Sequence, residues 1–250
     1  MLEKTLRNNI QQIEKQIQEA LETRRSEKTV TLICVSKSVD LETTQQVVNA
    51  GITHLAENRV EKLLDKKTSL TDSKAIKWHF IGNLQRRKVK EIVNEIDYFH
   101  ALDSLKLAGE IQKRSNHLLN CFVQVNVSGE ESKQGIQPNE LEEFIVSLKE
   151  FDRIKVVGLM TMAPFDSEES ELHSIFNQLN ELNQTIAAKK LPYAPCTELS
   201  MGMSGDYQIA IEEGATFIRV GSKFFDEEEK EVEERWIYLR KKRTGLTFLD

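Results

Sequence analysis

The sequence is poor in residues that interrupt or cross-link a chain. It has four prolines in 250 residues and no stretch rich in proline, glycine or serine, so we predict one domain over residues 1–250 without a linker. Its three cysteines, Cys34, Cys121 and Cys196, are widely spaced and include no CxxC pair. This usage argues against a disulfide framework and is typical of a reduced, cytoplasmic protein.

Long hydrophobic runs and an excess of positive charge are also missing. No apolar stretch approaches the roughly 20 residues that cross a bilayer, and a net charge of −6 disfavours binding to nucleic acid or anionic membranes. Residues 1–25 are charged throughout and predict an amphipathic helix rather than a signal peptide. Its apolar positions recur at helical spacing: Leu6, Ile10, Ile13, Ile17 and Leu21. We therefore expect a cytoplasmic protein that binds a small molecule.

Several common catalytic and metal-binding motifs are absent from the sequence. It contains no GxSxG, Walker A or GxGxxG motif, and its five histidines lack the spacing of metal ligands. We predict no metal site, and we expect His79 in WHFIG to pack in the core or to support a neighbouring site. The basic cluster at 86–90 has no interleaved aromatic residues, so a solvated helix face is the favoured interpretation.

After the first helix, short apolar runs alternate with amphipathic segments. The predicted strands are Thr29–Ser36, Thr53–Ala56, Lys77–Gly82, Tyr98–Leu102, Asn120–Val127, Val156–Met160, Thr197–Leu199 and Thr216–Val220. The predicted helices are 41–50, 57–67, 86–95, 103–117, 138–150, 168–190, 204–213 and 222–242, with 226–250 as C-terminal helix and tail. This alternation predicts a (β/α)₈ TIM barrel. Because two strands are weakly indicated, a doubly wound open sheet is the alternative.

Lys37 is the first candidate for chemistry, because it follows the apolar run TVTLICV at the end of the first predicted strand. Active-site residues of such barrels lie at the carboxyl ends of the strands. A lysine at the mouth of a buried strand can lose hydration, which lowers its pKa and makes it an amine nucleophile for Schiff-base formation. The alternative is a lysine that extends its ammonium group from the strand end into water.

Two loops near the end of the sequence look suited to an anion. SMGMSGD brings Ser204 and Gly205 immediately before the regular part of a predicted helix, Asp206–Glu213. VGS brings Gly221 and Ser222 to the start of the last predicted helix. Free backbone N–H groups and serine hydroxyls could hold a phosphate there. Because the last strand of a barrel closes onto the first, this phosphate site would lie beside Lys37. Ordinary helix capping by the two serines is the alternative.

Seven ordered motifs between about residues 28 and 225 resemble the pyridoxal phosphate homeostasis protein family. They are VSKSV, ENRV, WHFIGNLQ, VQVNVSGEESKQGI, VGLMTMAP, LSMGMSGD and RVGS. The resemblance implies a barrel like the N-terminal domain of alanine racemase, with Lys37 bound to pyridoxal 5′-phosphate (PLP) as an internal aldimine. It implies that the phosphate is held by Ser204, Gly205, Gly221 and Ser222. The other cofactor-binding residues would be Arg219, facing the pyridine nitrogen, and Asn58, Asn83, Met160 and Ser200.

An arginine at the pyridine nitrogen would keep that nitrogen unprotonated and weaken the ring as an electron sink. Alanine racemases also take a second proton-transfer group from an added β-domain, which we expect to be missing here. We therefore expect a monomer without established catalytic activity that stores, buffers or delivers PLP to apo-forms of PLP-dependent enzymes. The alternatives are a PLP-dependent amino-acid racemase or lyase, and a barrel aldolase that forms a Schiff base without PLP.

Overall fold

Eight parallel strands close into a barrel in the computed structural model, which describes residues 3–24, 28–71, 75–130 and 134–226. The strands are β1 (Thr31–Val35), β2 (His54–Glu57), β3 (Lys77–Phe80), β4 (Tyr98–Leu102), β5 (Leu119–Gln124), β6 (Ile154–Met160), β7 (Glu198–Ser200) and β8 (Phe217–Val220). They follow chain order around the barrel, and β1 pairs with both β2 and β8. The predicted barrel is confirmed, and the open sheet is wrong.

Helices surround the barrel, and all but the first follow a strand in the chain. They are α1 (Glu3–Thr23), α2 (Leu41–Asn49), α3 (Val60–Ser69), α4 (Val89–Ile92), α5 (Leu105–Arg114), α6 (Leu141–Ser147), α7 (Glu169–Ala188), α8 (Tyr207–Glu212) and α9 (Ser222–Phe225). The predicted helices at 86–95 and 138–150 begin as 3₁₀ turns at Arg86–Lys88 and Pro138–Glu140. The predicted helix and tail at 226–250 lie, after residue 226, outside the described residues.

Side-chain caps fix two of the loops that lead from a strand into a helix. The carboxylate of Asp40 accepts a hydrogen bond from the backbone N–H of Thr43 at the start of α2 (2.8 Å). Ser104 accepts one from the N–H of Leu107 at the start of α5 (3.4 Å). Such caps satisfy backbone donors that the first helical turn leaves unpaired. They set where the loops at the carboxyl end of the barrel turn.

The two strands with the weakest sequence patterns are short but paired on both sides. β2 pairs with β1 and β3, and β7 pairs with β6 and β8. Glycine at position 158 lets β6 and β7 lie close together, because a Cβ atom built at Gly158 in β6 would lie 1.8 Å from the carbonyl oxygen of Glu198 in β7. Strand pairing therefore compensates for the short apolar runs in these segments.

The amphipathic N-terminal helix α1 packs against α8, α9 and α2. Its apolar face is buried, as the spacing predicted, and includes Leu6 and Ile13. Asn9 donates from Nδ2 to the backbone oxygens of Phe224 (3.1 Å) and Asp226 (2.8 Å). The helix thus occupies the place in the outer ring between α8 and α2, although it precedes β1 in the chain.

The lower part of the barrel interior is filled by aromatic and histidine rings from four strands. His79 stacks on Tyr98 with ring centroids 4.6 Å apart, and His100 stacks on Phe122 at 4.5 Å. Phe217 from β8 contacts His79, Tyr98 and Phe122. Because β3 and β8 lie on different sides of the barrel, these contacts make the interior a packed core rather than a channel. None of the described helices combines the length and apolar character that crossing a bilayer requires.

Candidate functional site

A cavity of about 850 Å³ opens at the carboxyl end of the barrel, above the packed rings. Eight of the ten residues predicted as cofactor-binding line it: Lys37, Asn58, Met160, Ser204, Gly205, Arg219, Gly221 and Ser222. The other two lie elsewhere. Asn83 lines a smaller neighbouring cavity of about 340 Å³, which Asn58 also lines, and Ser200 is completely buried behind the wall of the large cavity.

Lys37 is exposed in a turn that follows β1, and among the described residues its Nζ atom has no hydrogen-bond partner. The strand ends at Val35 and the Lys37 side chain lies at the open cavity, as in the alternative of a lysine that extends into water. Its backbone is held tightly. Lys62 Nζ donates to the carbonyl oxygen of Lys37 (2.8 Å), and Lys66 Nζ donates to that of Ser36 (2.7 Å). Two lysines of α3 thus fix the turn and leave the amine free.

A buried ion pair anchors this arrangement. Glu57 at the end of β2 is fully buried, and its Oε1 atom accepts hydrogen bonds from Lys66 Nζ (2.7 Å) and Ser36 Oγ (2.9 Å). The pair connects the ends of β1 and β2 to α3. The next residue, Asn58, is placed at the cavity wall, where a Cβ atom at Gly82 would lie 2.2 Å from its carbonyl oxygen. That close approach requires glycine at position 82.

Arg219 is the buried cation of the cavity. Its Nη1 atom donates to Ser200 Oγ (2.6 Å) and its Nη2 atom to the carbonyl oxygen of Thr161 (2.9 Å). Burial lowers the pKa of Arg219 to about 10, and the nearby carboxylate of Asp206 opposes that shift. The guanidinium therefore stays charged at neutral pH. It has donors beyond the two used by the protein, and these are available to a ligand in the cavity.

A hydrogen bond joins the two loops that were predicted to hold an anion. Ser204 Oγ accepts from the backbone N–H of Gly221 (3.0 Å). α8 begins after Asp206 and α9 begins after Gly221, so neither Ser204 nor Ser222 caps a helix. The helix-capping alternative for the two serines is therefore wrong. Both serines line the cavity.

Three charged residues at the cavity were not predicted from the sequence: Lys223, Asp206 and Asp226. Lys223 lies over the ring of Tyr207, with Nζ 4.8 Å from its centroid, and partial burial lowers the pKa of this lysine. The sequence signal that could have identified Lys223 was its position directly after the RVGS motif. Burial raises the pKa of Asp206, although its carboxylate accepts a hydrogen bond from the backbone N–H of Met203.

The chemistry of these groups suits a small anion that carries an aldehyde. Lys37 supplies an accessible primary amine, and Arg219 and Lys223 supply positive charge. Ser204 and Ser222 supply hydroxyl groups next to the small residues Gly205 and Gly221, where a phosphate could approach the backbone closely. Among the described residues no group of three or more potential metal ligands is found.

Comparison with known proteins identifies the family. The family model described as "Alanine racemase, N-terminal domain" matches residues 4–227. A pyridoxal phosphate homeostasis protein of Aquifex aeolicus is 39% identical over 206 residues, which are 81% of this chain and 89% of the relative. The chain belongs to the pyridoxal phosphate homeostasis protein family. This confirms the resemblance seen in the seven motifs.

Solved structures agree with this family assignment and with the fold. PipY of Synechococcus elongatus PCC7942 with PLP bound is 31% identical, with a TM-score of 0.73 over 84% of this chain and 100% of its own. An alanine racemase of Clostridium difficile 630 is 15% identical, with a TM-score of 0.70, and the match covers 90% of this chain and 57% of the racemase. The racemase supports the fold alone. The predicted alanine-racemase-like barrel of this family member is confirmed.

Proposed function

We propose that this protein binds PLP covalently through Lys37 and stores, buffers or delivers it to apo-forms of PLP-dependent enzymes. One observation carries the proposal: a single cavity combines the accessible amine of Lys37 with the buried cation of Arg219 and the joined loops of Ser204 and Gly221. PipY, whose structure contains PLP, and the relatives named pyridoxal phosphate homeostasis proteins support the same function.

The eight predicted cofactor-binding residues that line the cavity each have a proposed part in holding the cofactor. PLP supplies an aldehyde that condenses with a primary amine, and Lys37 is the exposed amine. Because Ser204 Oγ accepts from Gly221 N–H, its own proton remains available for a phosphate oxygen. The remaining hydrogen bonds to the phosphate are assigned to Gly205 and Ser222. Gly221 donates its N–H to Ser204, so its proposed part is to hold that serine and to let the phosphate approach the backbone closely. Arg219 is assigned to the pyridine ring, and Asn58 and Met160 to the walls.

The same cavity supports the view that the protein is a carrier rather than a dedicated enzyme. Arg219 has a pKa of about 10, so at neutral pH it donates hydrogen bonds but does not accept a proton. Facing the pyridine nitrogen, it would leave that nitrogen unprotonated and the ring a weak electron sink. The described lining of the cavity includes no histidine, tyrosine or cysteine as a general acid or base.

A PLP-dependent racemase or lyase is the second candidate, because Asp206 has a raised pKa and lies at the cavity with Lys223. Such groups could transfer protons. We expect no measurable racemisation of L- or D-alanine by the purified protein loaded with PLP. A general acid–base step is typically worth about 10²- to 10⁴-fold in rate, so a working second base would be visible against the protein-free PLP background. Sustained turnover that Asp206→Asn abolishes would overturn the carrier assignment.

Absorption spectroscopy and trapping test the covalent link directly. Purified protein is titrated with PLP, reduced with borohydride and digested for peptide mapping. The two lysines that line the cavity, Lys37 and Lys223, form a matched pair. We expect Lys37→Ala to abolish the new absorption band and the trapped adduct, and Lys223→Ala to retain both. A label on Lys223 would refute the assignment of Lys37, and a protein without any PLP-dependent band would support a cofactor-free Schiff-base enzyme.

We further propose that the protein is a cytoplasmic monomer. Its three cysteines are free and buried, as in proteins of a reducing compartment. The large apolar side chains exposed in the described residues are scattered over several elements, and the largest exposure is that of Phe165 at the cavity rim. Light scattering on the purified protein with and without PLP tests the oligomeric state. Transfer of PLP to an apo-enzyme, followed by recovery of that enzyme's activity, tests delivery.

A further inference from the structure

Three histidines and a serine form a continuous hydrogen-bonded chain through the barrel. His54 Nδ1 lies 2.9 Å from His79 Nε2, and His79 Nδ1 lies 2.8 Å from His100 Nε2. His100 Nδ1 lies 2.8 Å from Ser200 Oγ, which accepts from Arg219 Nη1 at 2.6 Å. The chain therefore ends at the cation of the cavity described above.

Arg219 gives the chain one direction. An arginine side chain only donates hydrogen bonds, so Ser200 Oγ is the acceptor in that contact. Among the described residues the Ser200 hydroxyl has one other partner, His100 Nδ1. Because Ser200 is completely buried and its proton needs an acceptor, we assign the proton to the contact with His100 Nδ1. A neutral imidazole has one N–H group, which places the proton of His100 on Nε2. His79 must then accept at Nδ1 and carry its proton on Nε2, and the same holds for His54.

The surroundings of the chain keep its inner histidines neutral. His79 and His100 are completely buried, and burial lowers the pKa of each well below the ordinary value. Tyr98 stacks on one face of His79 and Phe122 on His100, so little room remains for water. His54 is half-buried at the start of β2, at the end of the barrel opposite the cavity.

We propose that His54, His79, His100 and Ser200 are positioning residues that orient the Arg219 guanidinium for the cofactor. The inference rests on the proposed binding of PLP in the cavity. Within the described part of the chain, Ser200 Oγ is one of two acceptors that hold this buried cation, and the other is the carbonyl oxygen of Thr161. Arg219 sets the direction of the chain. His79 and His54 supply the acceptors that stabilise the His100 proton on Nε2, and this tautomer leaves His100 Nδ1 free to accept from the Ser200 hydroxyl.

The direction of the chain is measured on the apo-protein, without PLP. Two-bond ¹H–¹⁵N spectra of the histidine rings report the tautomer and charge of each. At neutral pH we expect His79 and His100 to be neutral with the proton on Nε2. In His79→Phe, which retains a ring next to Tyr98 but removes both nitrogens, His100 should show both tautomers. A proton on Nδ1 of either buried histidine in the wild-type protein would overturn the chain.

The effect on the cofactor is measured as PLP affinity in the same variants. Ser200→Ala removes one of two acceptors of a buried cation, and we expect about tenfold weaker PLP binding. His79→Phe changes a residue separated from Arg219 by His100 and Ser200, and it should weaken PLP binding about threefold. This variant provides the test if Ser200→Ala fails to fold. His117→Asn, outside the chain, is the control. Wild-type affinity in both Ser200→Ala and His79→Phe would overturn the positioning role.

Failure of this inference is distinguishable from failure of the proposed function. If the wild-type protein binds no PLP, the proposed function fails and the positioning of Arg219 for that cofactor fails with it. The directed hydrogen-bond chain is then judged by the apo-protein tautomers alone. If the wild-type protein binds PLP but the variants bind equally well, the proposed function stands and the inference is wrong.

Discussion

The backbone N–H of Gly221 donates a hydrogen bond to Ser204 Oγ over 3.0 Å, and this contact joins the loop after β7 to the loop after β8. The two residues are 17 positions apart in sequence. Because neither serine of these loops caps a helix, the hydroxyl groups are not required for the helix starts. Both serines line the cavity.

Replacing both serines tests the contacts to the phosphate separately from the contacts to the rest of the cofactor. We expect Ser204→Ala with Ser222→Ala to weaken PLP binding by about a hundredfold or more, since each hydrogen bond to a charged group contributes about 1.5–3 kcal/mol. Pyridoxal, which lacks the phosphate, should be affected little. Titration with both compounds checks this, with Ser38→Ala at the same cavity as control. An unchanged preference for PLP over pyridoxal would mean that the phosphate lies elsewhere.

Acid should destabilise the fold through the buried histidines. Burial holds the pKa of His79 and His100 well below 6.5, whereas both take up protons near 6.5 when the chain unfolds. The unfolded state then binds more protons, so the free energy of unfolding falls as pH decreases below 6.5, by about 1.4 kcal/mol per pH unit for each histidine.

Urea unfolding between about pH 7 and pH 5 measures this slope. His79→Phe should reduce the slope of unfolding free energy against pH by the contribution of one histidine, whatever the effect of the substitution on stability at neutral pH. His117→Asn controls for the loss of a histidine outside the chain. A slope in His79→Phe equal to that of the wild-type protein would show that His79 becomes protonated in the native state.

The buried ion pair of Glu57 and Lys66 should show strong coupling. Lys66→Met leaves the Glu57 carboxylate buried without its partner, and we expect it to cost about 3–5 kcal/mol of unfolding free energy. Lys66→Met combined with Glu57→Gln should cost less than Lys66→Met alone, because the uncompensated charge is gone. Urea unfolding of the two single variants and the double variant forms the cycle. Additive costs would contradict coupling across the 2.7 Å contact.

Two glycines should respond in opposite ways to the same added methyl group. In Gly158→Ala the new Cβ would lie 1.8 Å from the carbonyl oxygen of Glu198, so β6 and β7 must separate. We expect a loss of roughly 2–4 kcal/mol or failure to fold. In Gly109→Ala, within α5, the nearest atom lies 3.9 Å away, on Phe151. Helix propensity should then stabilise the protein by up to about 1 kcal/mol, as thermal melting of both variants will show.

The sequence predicted the barrel well because each strand and helix carries its own pattern. β4 was predicted at its observed bounds, and β6 at its observed end. The predicted helix at 204–213 began three residues before α8 does, and the side chain of Ser204 bonds to Gly221 rather than to the helix. Local patterns do not reveal a bond to a loop 17 residues away.

The support of the cavity was harder to foresee than its lining. Arg219 was predicted from the RVGS motif, but Ser200 was placed beside the cofactor and lies behind the arginine. The histidine chain has a sequence signal, because His54, His79 and His100 are 25 and 21 residues apart, about one strand-and-helix unit each. In the sequence the histidine positions were compared only with the short spacing of metal ligands. That comparison could not find the chain, because its histidines lie on the successive strands β2, β3 and β4.

The placement of α1 has a consequence for how the protein emerges from the ribosome. The apolar face of α1 is made long before its partners α8 and α9, and Asn9 bonds to residues that lie 215 and 217 positions later in the sequence. Contacts so distant in sequence form late, and until then the uncovered face is a surface for aggregation or chaperone binding. Nascent chains stalled before β8, which begins at Phe217, should therefore remain sensitive to proteases and have no assembled cavity.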